Sequence, residues 1–374
     1  MAGLYVHFPF CATKCIYCDF YARVRRDWTS YIEALLSELS AREGFLKGVP
    51  PTTCYFGGGT PSLLPASALS CVAQAIASLA PTSPSCPAPT GHLEFTLEAN
   101  PDDVTPEKAA AWREMGVTRV SMGVQSFCDD HLRWMRRRHT AEGAEAAFDT
   151  LRKAGFDNLS LDLIFGFTGL DDAQWADSIG RAIALRPEHI SCYQMTGRYA
   201  DPDDERCLRQ YLLLQERLAA AGYAQYEVSS FALPGRESRH NSAYWAREPY
   251  LGLGAGAHSF DGDRRRCWNT PDIDAYVASR PGGDEILSER EVYEEKLMLS
   301  LRTVRGLDLS TLTPAERSAL RQKEPVLEQL SKTGRLIVGT DSIRIPAAGL
   351  FVADAVIRSL FPDQAQQPFA LQKA

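Results

Sequence analysis

Residues 3–18 have the sequence Gly3-Leu4-Tyr5-Val6-His7-Phe8-Pro9-Phe10-Cys11-Ala12-Thr13-Lys14-Cys15-Ile16-Tyr17-Cys18. The apolar run at residues 4–8 predicts a β-strand. The loop that follows carries three cysteines with CX3CX2C spacing. Thiolates are ligands for zinc, copper(I) and iron-sulphur centres, and three thiolates on the four irons of a cubane cluster leave one iron open to another ligand. This stretch therefore predicts a strand followed by a metal-binding loop.

Two other uses of these cysteines stay open at this point. A structural zinc ion needs a fourth soft ligand, and His7 is the only local candidate. A disulphide would leave the third cysteine without a partner. The loop taken alone favours a 4Fe-4S cluster over zinc.

The composition is that of an ordinary globular protein. The chain has 374 residues, of which 45% are hydrophobic and 23% charged, and this length allows one large domain and one small one. The seven cysteines outside the loop show no pattern and are expected to be free thiols. No signal peptide or membrane span is predicted, so we expect a cytoplasmic protein in a reducing compartment. The net charge of -7 disfavours nucleic acid as the main partner.

Short β-rich runs alternate with helical patterns from residue 3 to about residue 232, which is typical of βα units around a parallel sheet or barrel. The first predicted helix has Asp27 as its N-cap, and its apolar stripe includes Tyr31, Leu35 and Leu39. Thr105-Pro106 opens a further helix, and Trp175 lies on another. The predicted strands are residues 4–8, 53–56, 93–97, 119–123, 159–164, 189–195 and 226–231.

The pattern changes to helices after about residue 285. Tyr293, Leu297 and Leu301 share one helical face, and two short apolar runs around Gly339-Thr340-Asp341 close the chain in an arrangement that resembles a winged-helix unit. Its basic residues are scattered, so a structural or partner-docking role is favoured over DNA binding. We predict a domain at 1–232, a linker at 233–285 and a helical domain at 286–374, with a surface loop at 81–91.

Polar residues end several of the predicted strands. Gly57-Gly58-Gly59-Thr60-Pro61 follows the second strand, and Glu98, Gln125 and Asp162 lie at the ends of later strands. The carboxyl ends of parallel strands meet at one edge of a sheet, where ligands bind. Any one of these residues would serve equally well as a helix cap, but four together favour a shared site.

These motifs together resemble the radical S-adenosylmethionine (SAM) enzymes of the oxygen-independent coproporphyrinogen oxidase family. The resemblance covers nearly the whole chain and implies an α/β fold, a partial (β/α)6-type radical SAM barrel with a small helical, winged-helix-like C-terminal domain. It further implies that Cys11, Cys15 and Cys18 hold a 4Fe-4S cluster whose fourth iron binds SAM. The residues that it implies around SAM are Tyr5, Tyr17, Gly58, Gly59, Thr60, Glu98, Gln125, Arg137 and Asp162.

Two features separate this chain from the decarboxylating branch of that family. Asp19-Phe20 follows Cys18 in place of a fourth cysteine, and only four residues precede Tyr5. His240-Asn241-Ser242-Ala243-Tyr244-Trp245 is instead similar to the HNxxYW segment of the family's haem-chaperone branch. The resemblance implies haem as a further cofactor, with His240 or His258 as candidate haem ligands. For each histidine singly, a hydrogen-bonded structural role is an equal alternative.

Two loops depart from the family pattern. Gly166-Phe167-Thr168-Gly169 replaces Gly-Leu-Pro-Gly, and Gly197-Arg198-Tyr199-Ala200 replaces Glu-Pro-Gly-Thr. Because the second loop lies beyond the strand ends that bind the cofactor, we expect altered contacts to the larger ligand and unaltered cluster and SAM binding.

The main hypothesis is a haem chaperone that delivers haem to respiratory or other haem-requiring proteins, acting as a homodimer. The alternative is an oxygen-independent coproporphyrinogen III oxidase, which would act as an enzyme of porphyrin biosynthesis. A third hypothesis is a zinc-stabilised regulator that uses the winged-helix-like unit.

Overall fold

A computed structural model describes residues 2–24, 27–78 and 93–362. The chain divides into two compact units, residues 1–287 and 288–374. The larger unit contains the predicted cluster loop and the HNxxYW segment, and the smaller unit contains the predicted C-terminal helices. The predicted loop at 81–91 lies outside the described residues.

The described part of the larger unit alternates strands and helices. Its strands are β1 (Gly3–Phe8), β2 (Thr53–Gly58), β3 (Glu94–Ala99), β4 (Arg119–Gln125), β5 (Leu159–Phe165), β6 (His189–Gln194), β7 (Ala224–Gln225), β8 (Ser230–Ala232), β9 (Tyr250–Leu253), β10 (His258–Phe260), β11 (Arg265–Trp268) and β12 (Gly283–Ile286). Its helices are α1 (Thr29–Ala41), α2 (Ala66–Ser78), α3 (Pro106–Glu114), α4 (Asp129–Trp134), α5 (Ala141–Lys153), α6 (Asp172–Leu185), α7 (Asp204–Ala220), α8 (Arg239–Trp245) and α9 (Ile273–Val277).

All twelve strands belong to one sheet, in the order β12-β11-β10-β9-β1-β2-β3-β4-β5-β6-β8-β7. The first six strands lie side by side in chain order, and each is parallel to the next. Connections between parallel neighbours need a crossover, which the intervening helices provide. The sheet is open, with β12 and β7 as its edges among the described residues. This parallel α/β architecture confirms the predicted fold class.

The first six strands and the first helical stripe are confirmed. Tyr31, Leu35 and Leu39 of α1 are buried, which places the apolar face of the helix in the core. Thr105 caps α3 by accepting a hydrogen bond from the Lys108 amide, with Pro106 at the first helical position.

Three details differ from the sequence prediction. Asp27 is not the N-cap of α1, because the helix begins after Trp28 without a side-chain cap. The predicted strand at 226–231 is the turn and second strand of a short hairpin, β7-β8, because the Glu227 carboxylate accepts the Ser229 amide and closes a turn. Residues 233–285, predicted as a linker, supply α8, α9 and the antiparallel strands β9 to β12 of the large sheet.

The smaller unit combines helices with a small sheet. Its described elements are α10 (Glu289–Leu301), β13 (Leu307–Asp308), α11 (Pro314–Gln322), α12 (Glu324–Lys332), β14 (Ile337–Val338), β15 (Ser342–Arg344) and α13 (Ala353–Leu360). The sheet order is β13-β15-β14, and both pairings are antiparallel. Tyr293, Leu297 and Leu301 are the buried apolar residues of α10, as predicted. None of the described helices combines the length and the apolar character that a membrane span requires.

Candidate functional site

One cavity brings the cysteine loop and the predicted strand-end residues together. Its volume is about 440 Å³, which lies within the usual range for small-molecule sites. The predicted residues that line it are Cys11, Cys15, Cys18, Tyr17, Gly58, Gly59, Thr60, Glu98, Gln125, Arg137 and Asp162. Tyr5 is not among the lining residues, although it lies on β1 beside them. The cavity therefore joins the cysteines to residues of the parallel strands that are up to about 150 residues away in the chain. Asp162, predicted at a strand end, lies inside β5.

Each of two cysteines in the loop has a hydrogen-bond donor close to its sulphur. The Thr60 hydroxyl lies 3.6 Å from Cys11 Sγ, and the Arg137 guanidinium lies 3.6 Å from Cys15 Sγ. Burial raises the pKa of the Cys11 and Cys18 thiols, so metal binding at this loop would release protons. Three soft ligands with two donors that stabilise thiolate charge fit an iron-sulphur cluster.

His7 fastens the cysteine loop to β1. Its Nε2 donates to the Tyr21 carbonyl oxygen over 2.9 Å, so its Nδ1 accepts the Tyr5 hydroxyl, also at 2.9 Å. Burial lowers the pKa of His7, which favours this neutral tautomer. A zinc site would need His7 as its fourth ligand, but hydrogen bonds already occupy both of its ring nitrogens. Within the described ranges, no group of three or more His, Cys, Asp or Glu residues is placed to hold a single metal ion.

The glycine turn after β2 packs directly against the cysteine loop. Gly58 has a φ of +107°, and a Cβ there would lie 2.4 Å from the His7 ring. A Cβ on Gly59 would lie 2.7 Å from the backbone of Phe8 and Phe10. Only glycine fits such positions. The two amides are already used within the protein, by Glu98 and by the Phe8 carbonyl oxygen, so the turn positions the loop as well as lining the cavity.

Glu98 is a carboxylate held by two donors. It accepts the Tyr55 hydroxyl at 2.8 Å and the Gly58 amide at 3.0 Å. Burial raises the pKa of Glu98 to about 7, and the Asp162 charge adds to the rise, although both hydrogen bonds oppose it. Burial likewise raises the pKa of Asp162 to about 6, although the Arg119 charge and the Ser121 hydroxyl oppose it. The cavity therefore holds two carboxyl groups that ionise near neutral pH.

Gln125 and Arg137 meet over Gly123 at the end of β4. Gln125 has a φ of +70°, next to a bulge in the pairing of β4 with β5, and strain of this kind in a non-glycine residue is concentrated at functional sites. A Cβ on Gly123 would lie 2.7 Å from the Gln125 amide nitrogen. Arg137 donates to Asn100 Oδ1 at 2.8 Å and to the Gly123 carbonyl oxygen. One arginine thus links β4, the turn after β3 and the cysteine loop.

Glu98 makes the stability of the protein depend on pH. Its folded-state pKa of about 7 lies above its ordinary value of 4.5, so between these values the folded chain holds a proton that the unfolded chain has lost. The stabilisation is complete below pH 4.5 and is lost as the pH rises through 7. We expect urea unfolding of the apoprotein at a series of pH values to show a loss of up to about 3 kcal/mol that the Glu98→Gln variant lacks. Parallel pH profiles of the two proteins would contradict this assignment.

The HNxxYW segment forms α8, which lies at the ends of the strands opposite to the cysteine loop. The backbone amides of Arg239 and His240 donate to the carboxylate of Glu94, the first residue of β3. His240 Nδ1 is hydrogen-bonded to Thr53, the first residue of β2, at 2.8 Å. Helix α8 therefore lies at the amino ends of the strands, whereas the cysteine loop lies at their carboxyl ends. Asn241 lines the same cavity as the cysteines. This cavity therefore extends from the carboxyl ends of the strands to their amino ends.

The structure distinguishes the two candidate haem histidines. His240 is 1% exposed, and its Nε2 is hydrogen-bonded to the Tyr244 hydroxyl at 2.9 Å, so both ring nitrogens have partners. Burial lowers the pKa of His240 to about 3. His258 is exposed and stacks on Trp268 with ring centroids 5.7 Å apart. Neither histidine lines the cavity.

Replacing His240 with alanine is expected to destabilise the larger unit. The substitution strands the Thr53 and Tyr244 hydroxyls and leaves a hole beside the stacked Tyr55 ring. Such losses cost about 2–4 kcal/mol together. The His258→Ala variant is the matched control, and we expect it to change the free energy of unfolding by less than about 1 kcal/mol. Urea unfolding of both variants measures the difference, and equal stabilities would refute the structural role of His240.

Of the cavity-wall residues that the sequence analysis did not predict, three bear directly on the chemistry of the site. Tyr55 and Arg119 lie inside strands, and Asn100 follows β3. The side-chain amide oxygen of Asn100 accepts from Arg137 and so orients the guanidinium. A cation at the start of an otherwise apolar buried strand, as in Arg119-Val120-Ser121-Met122, was a signal that could have identified Arg119.

The chain is similar to known proteins in sequence and in fold. A family model of the radical SAM superfamily matches residues 5–182. The protein named Heme chaperone HemW from Mycobacterium tuberculosis strain H37Rv is 34% identical, over 96% of this chain and 94% of its own length. HemW from Bacillus subtilis is 32% identical, over 95% of this chain and 98% of its own length. The solved structure of coproporphyrinogen III oxidase HemN from Escherichia coli has a TM-score of 0.81 at 21% identity, covering 96% of this chain and 90% of that one, which is a likeness of fold.

Proposed function

The chain belongs to the family of the haem chaperone HemW within the radical SAM superfamily, and from this premise we propose that it binds haem and passes it to haem-requiring proteins. The observation that carries the proposal is that one continuous cavity is lined both by the cysteine loop and by Asn241 of α8. A protein whose cluster chemistry and ligand handling are coupled needs such a connection. The proposal places this activity in the cytoplasm and includes action as a homodimer.

The carboxyl-end part of the cavity is the proposed cofactor site. Cys11, Cys15 and Cys18 would hold a 4Fe-4S cluster, with Thr60 and Arg137 stabilising the thiolates. When bound, the cluster supplies an electron and an open iron site for SAM. The glycine turn shapes the cavity beside the loop, and Glu98 and Asp162 present carboxylates to a positively charged ligand.

These carboxylates bind SAM best when they are ionised. SAM carries a sulphonium charge, and the pKa values of about 7 and about 6 place the ionisation of Glu98 and Asp162 close to neutrality. The proposed site therefore strengthens its hold on SAM as the pH rises towards neutrality. Tyr5 and Tyr17 are also included in the proposed set of SAM-binding residues.

Haem binding is assigned to the part of the larger unit around α8. His258 is the better axial-ligand candidate, because its ring is exposed and no hydrogen bond occupies its nitrogens in the described residues. His240 is proposed instead to hold α8 against the strands.

Transfer of haem tests this proposal. The cluster-loaded full chain, charged with haem, is mixed with a haem-free acceptor such as an apocytochrome, and the Soret band is followed. We expect it to move to the spectrum of the haem-bound acceptor. Retention of haem by the chain with every acceptor would remove the chaperone role. A parallel incubation with coproporphyrinogen III, reductant and SAM tests the oxidase alternative, which requires protoporphyrinogen as product.

A further inference from the structure

Arg119 is a buried cation that makes no ion pair with any residue that the structure describes. Its side chain is 1% exposed, and its Nε has no hydrogen-bond partner among the described residues. No carboxylate in the described ranges forms an ion pair with it. A buried guanidinium normally has both hydrogen bonds and a counter-ion, because removing its charge from water costs several kcal/mol. Arg119 also lines the cavity, so a ligand in the cavity can supply what the protein does not.

The carboxylates of the same cavity are committed to other donors. Glu98 accepts from Tyr55 and Gly58, and Asp162 accepts from Ser121 at 3.3 Å. Both carboxylates interact electrostatically with Arg119, whose charge lowers the pKa of each group, but among the described residues neither forms an ion pair with it. The planar guanidinium fork thus keeps donors that match a carboxylate.

Arg119 lies at the α8 end of the cavity. It is the first residue of β4, and it pairs in register with Thr96 on β3. Glu94, two residues before Thr96, anchors the first amides of α8. Asn241, the next residue of α8, lines the same cavity, and its side-chain amide carries further donors. A cation and an amide from different elements thus flank one end of the cavity.

We propose that Arg119 and Asn241 form a carboxylate-binding subsite that takes a propionate group of the tetrapyrrole. This inference rests on the proposed function, because it assumes that haem binds near α8. Propionate is the part of haem that is anionic at neutral pH and long enough to extend from the ring. The subsite would orient haem by one arm while the ring stays outside the cofactor part of the cavity.

The methionyl carboxylate of SAM is the other possible source of this chemistry. Gly123, whose carbonyl oxygen accepts from Arg137, lies four residues beyond Arg119 along β4. At about 3.3 Å per residue, Gly123 and Arg119 lie about 13 Å apart along the strand. A carboxylate held at the cysteine loop is thus well removed from Arg119, which favours the propionate.

Haem and haem dimethyl ester, in which both propionates are capped, distinguish these possibilities. Each is titrated optically into the cluster-loaded full chain and into its Arg119→Gln, Arg119→Lys and Arg209→Gln variants. Arg209 lies on α7 with an exposed side chain and serves as the matched control. We expect wild type and Arg209→Gln to bind haem about 10- to 100-fold more tightly than the ester. Arg119→Gln should bind both equally weakly, and Arg119→Lys should keep part of the preference.

The outcomes separate this inference from the proposed function. Wild type that binds haem and ester equally overturns the subsite but leaves haem binding intact, whereas wild type that binds neither removes both. Weaker SAM binding by Arg119→Gln, measured by calorimetry, with an unchanged preference for haem over the ester, would assign Arg119 to the cofactor and overturn the proposal. If Arg119→Gln fails to fold, Asn241→Asp takes its place. Its added carboxylate should weaken haem binding and spare the ester, and equal effects on both would overturn the proposal.

Discussion

Replacing Cys15 with alanine is expected to abolish the iron-sulphur cluster while the sheet stays folded. Cys15 supplies one of three thiols on the loop and accepts from Arg137. A cluster with only two protein thiolates loses a ligand that no other cysteine among the described cavity residues replaces. The side chain is half-buried on the cavity wall, outside the apolar core. The free energy of unfolding of the apoprotein should therefore change by less than about 1 kcal/mol. Anaerobic reconstitution with iron and sulphide, followed by absorbance, measures the cluster.

Cys71→Ala is the control for this experiment. Cys71 is an exposed free thiol on α2, far along the chain from the loop. Its variant should reconstitute like wild type. If Cys15→Ala instead retained the wild-type absorbance, Cys15 would not be a cluster ligand.

Replacing Asp162 with alanine is expected to weaken SAM binding about 5- to 150-fold, which corresponds to about 1–3 kcal/mol. Asp162 lies inside β5, where it accepts from Ser121 on β4, and its carboxylate faces the cavity. The substitution removes an anion from the site and leaves the Ser121 hydroxyl without its acceptor. Calorimetric titration of the cluster-loaded chain with SAM measures the change.

Asp149→Ala is the matched control for charge. Asp149 is exposed on α5, so its loss should leave the affinity for SAM unchanged. An Asp162→Ala variant that bound SAM as tightly as the control would place the cofactor elsewhere.

The central strands were predictable because their signals are local. Buried parallel strands are short apolar runs between helices of period 3.6, and Leu97 or Leu161 sits in such a run whatever its neighbours are. Strand-end polar residues then converge because parallel strands share one carboxyl edge. This explains why Glu98 could be placed in the cavity from the sequence, whereas Asp162 lines the same cavity from inside β5 and not from its end.

The edge strands could not be predicted in the same way. The glycines in Tyr250-Leu251-Gly252-Leu253-Gly254 make this segment resemble a loop. In the structure, only glycine fits at position 252, because a Cβ there would lie 1.9 Å from the carbonyl oxygen of His258 on the neighbouring strand. Tertiary contacts decide such a segment, and a single sequence does not contain them. The hairpin at Ser230 was missed for a similar reason, because its turn depends on the Glu227 side chain.

The functional assignment of His240 also depended on information that the sequence lacks. A histidine in a family motif suggests a ligand, whereas the structure surrounds its ring with Thr53, Tyr55 and Tyr244. Arg119 presents the opposite case, because its sequence context does not show that its Nε is buried without a hydrogen-bond partner among the described residues. Both conclusions require the distances between residues on different strands.

Optical titration of the cluster-loaded full chain with haem tests the central claim most directly. The account predicts saturable haem uptake at micromolar concentrations, seen as a growing Soret band, and no conversion of coproporphyrinogen III in a parallel anaerobic incubation with SAM and reductant. Absence of haem uptake, or formation of protoporphyrinogen in the parallel sample, would contradict it.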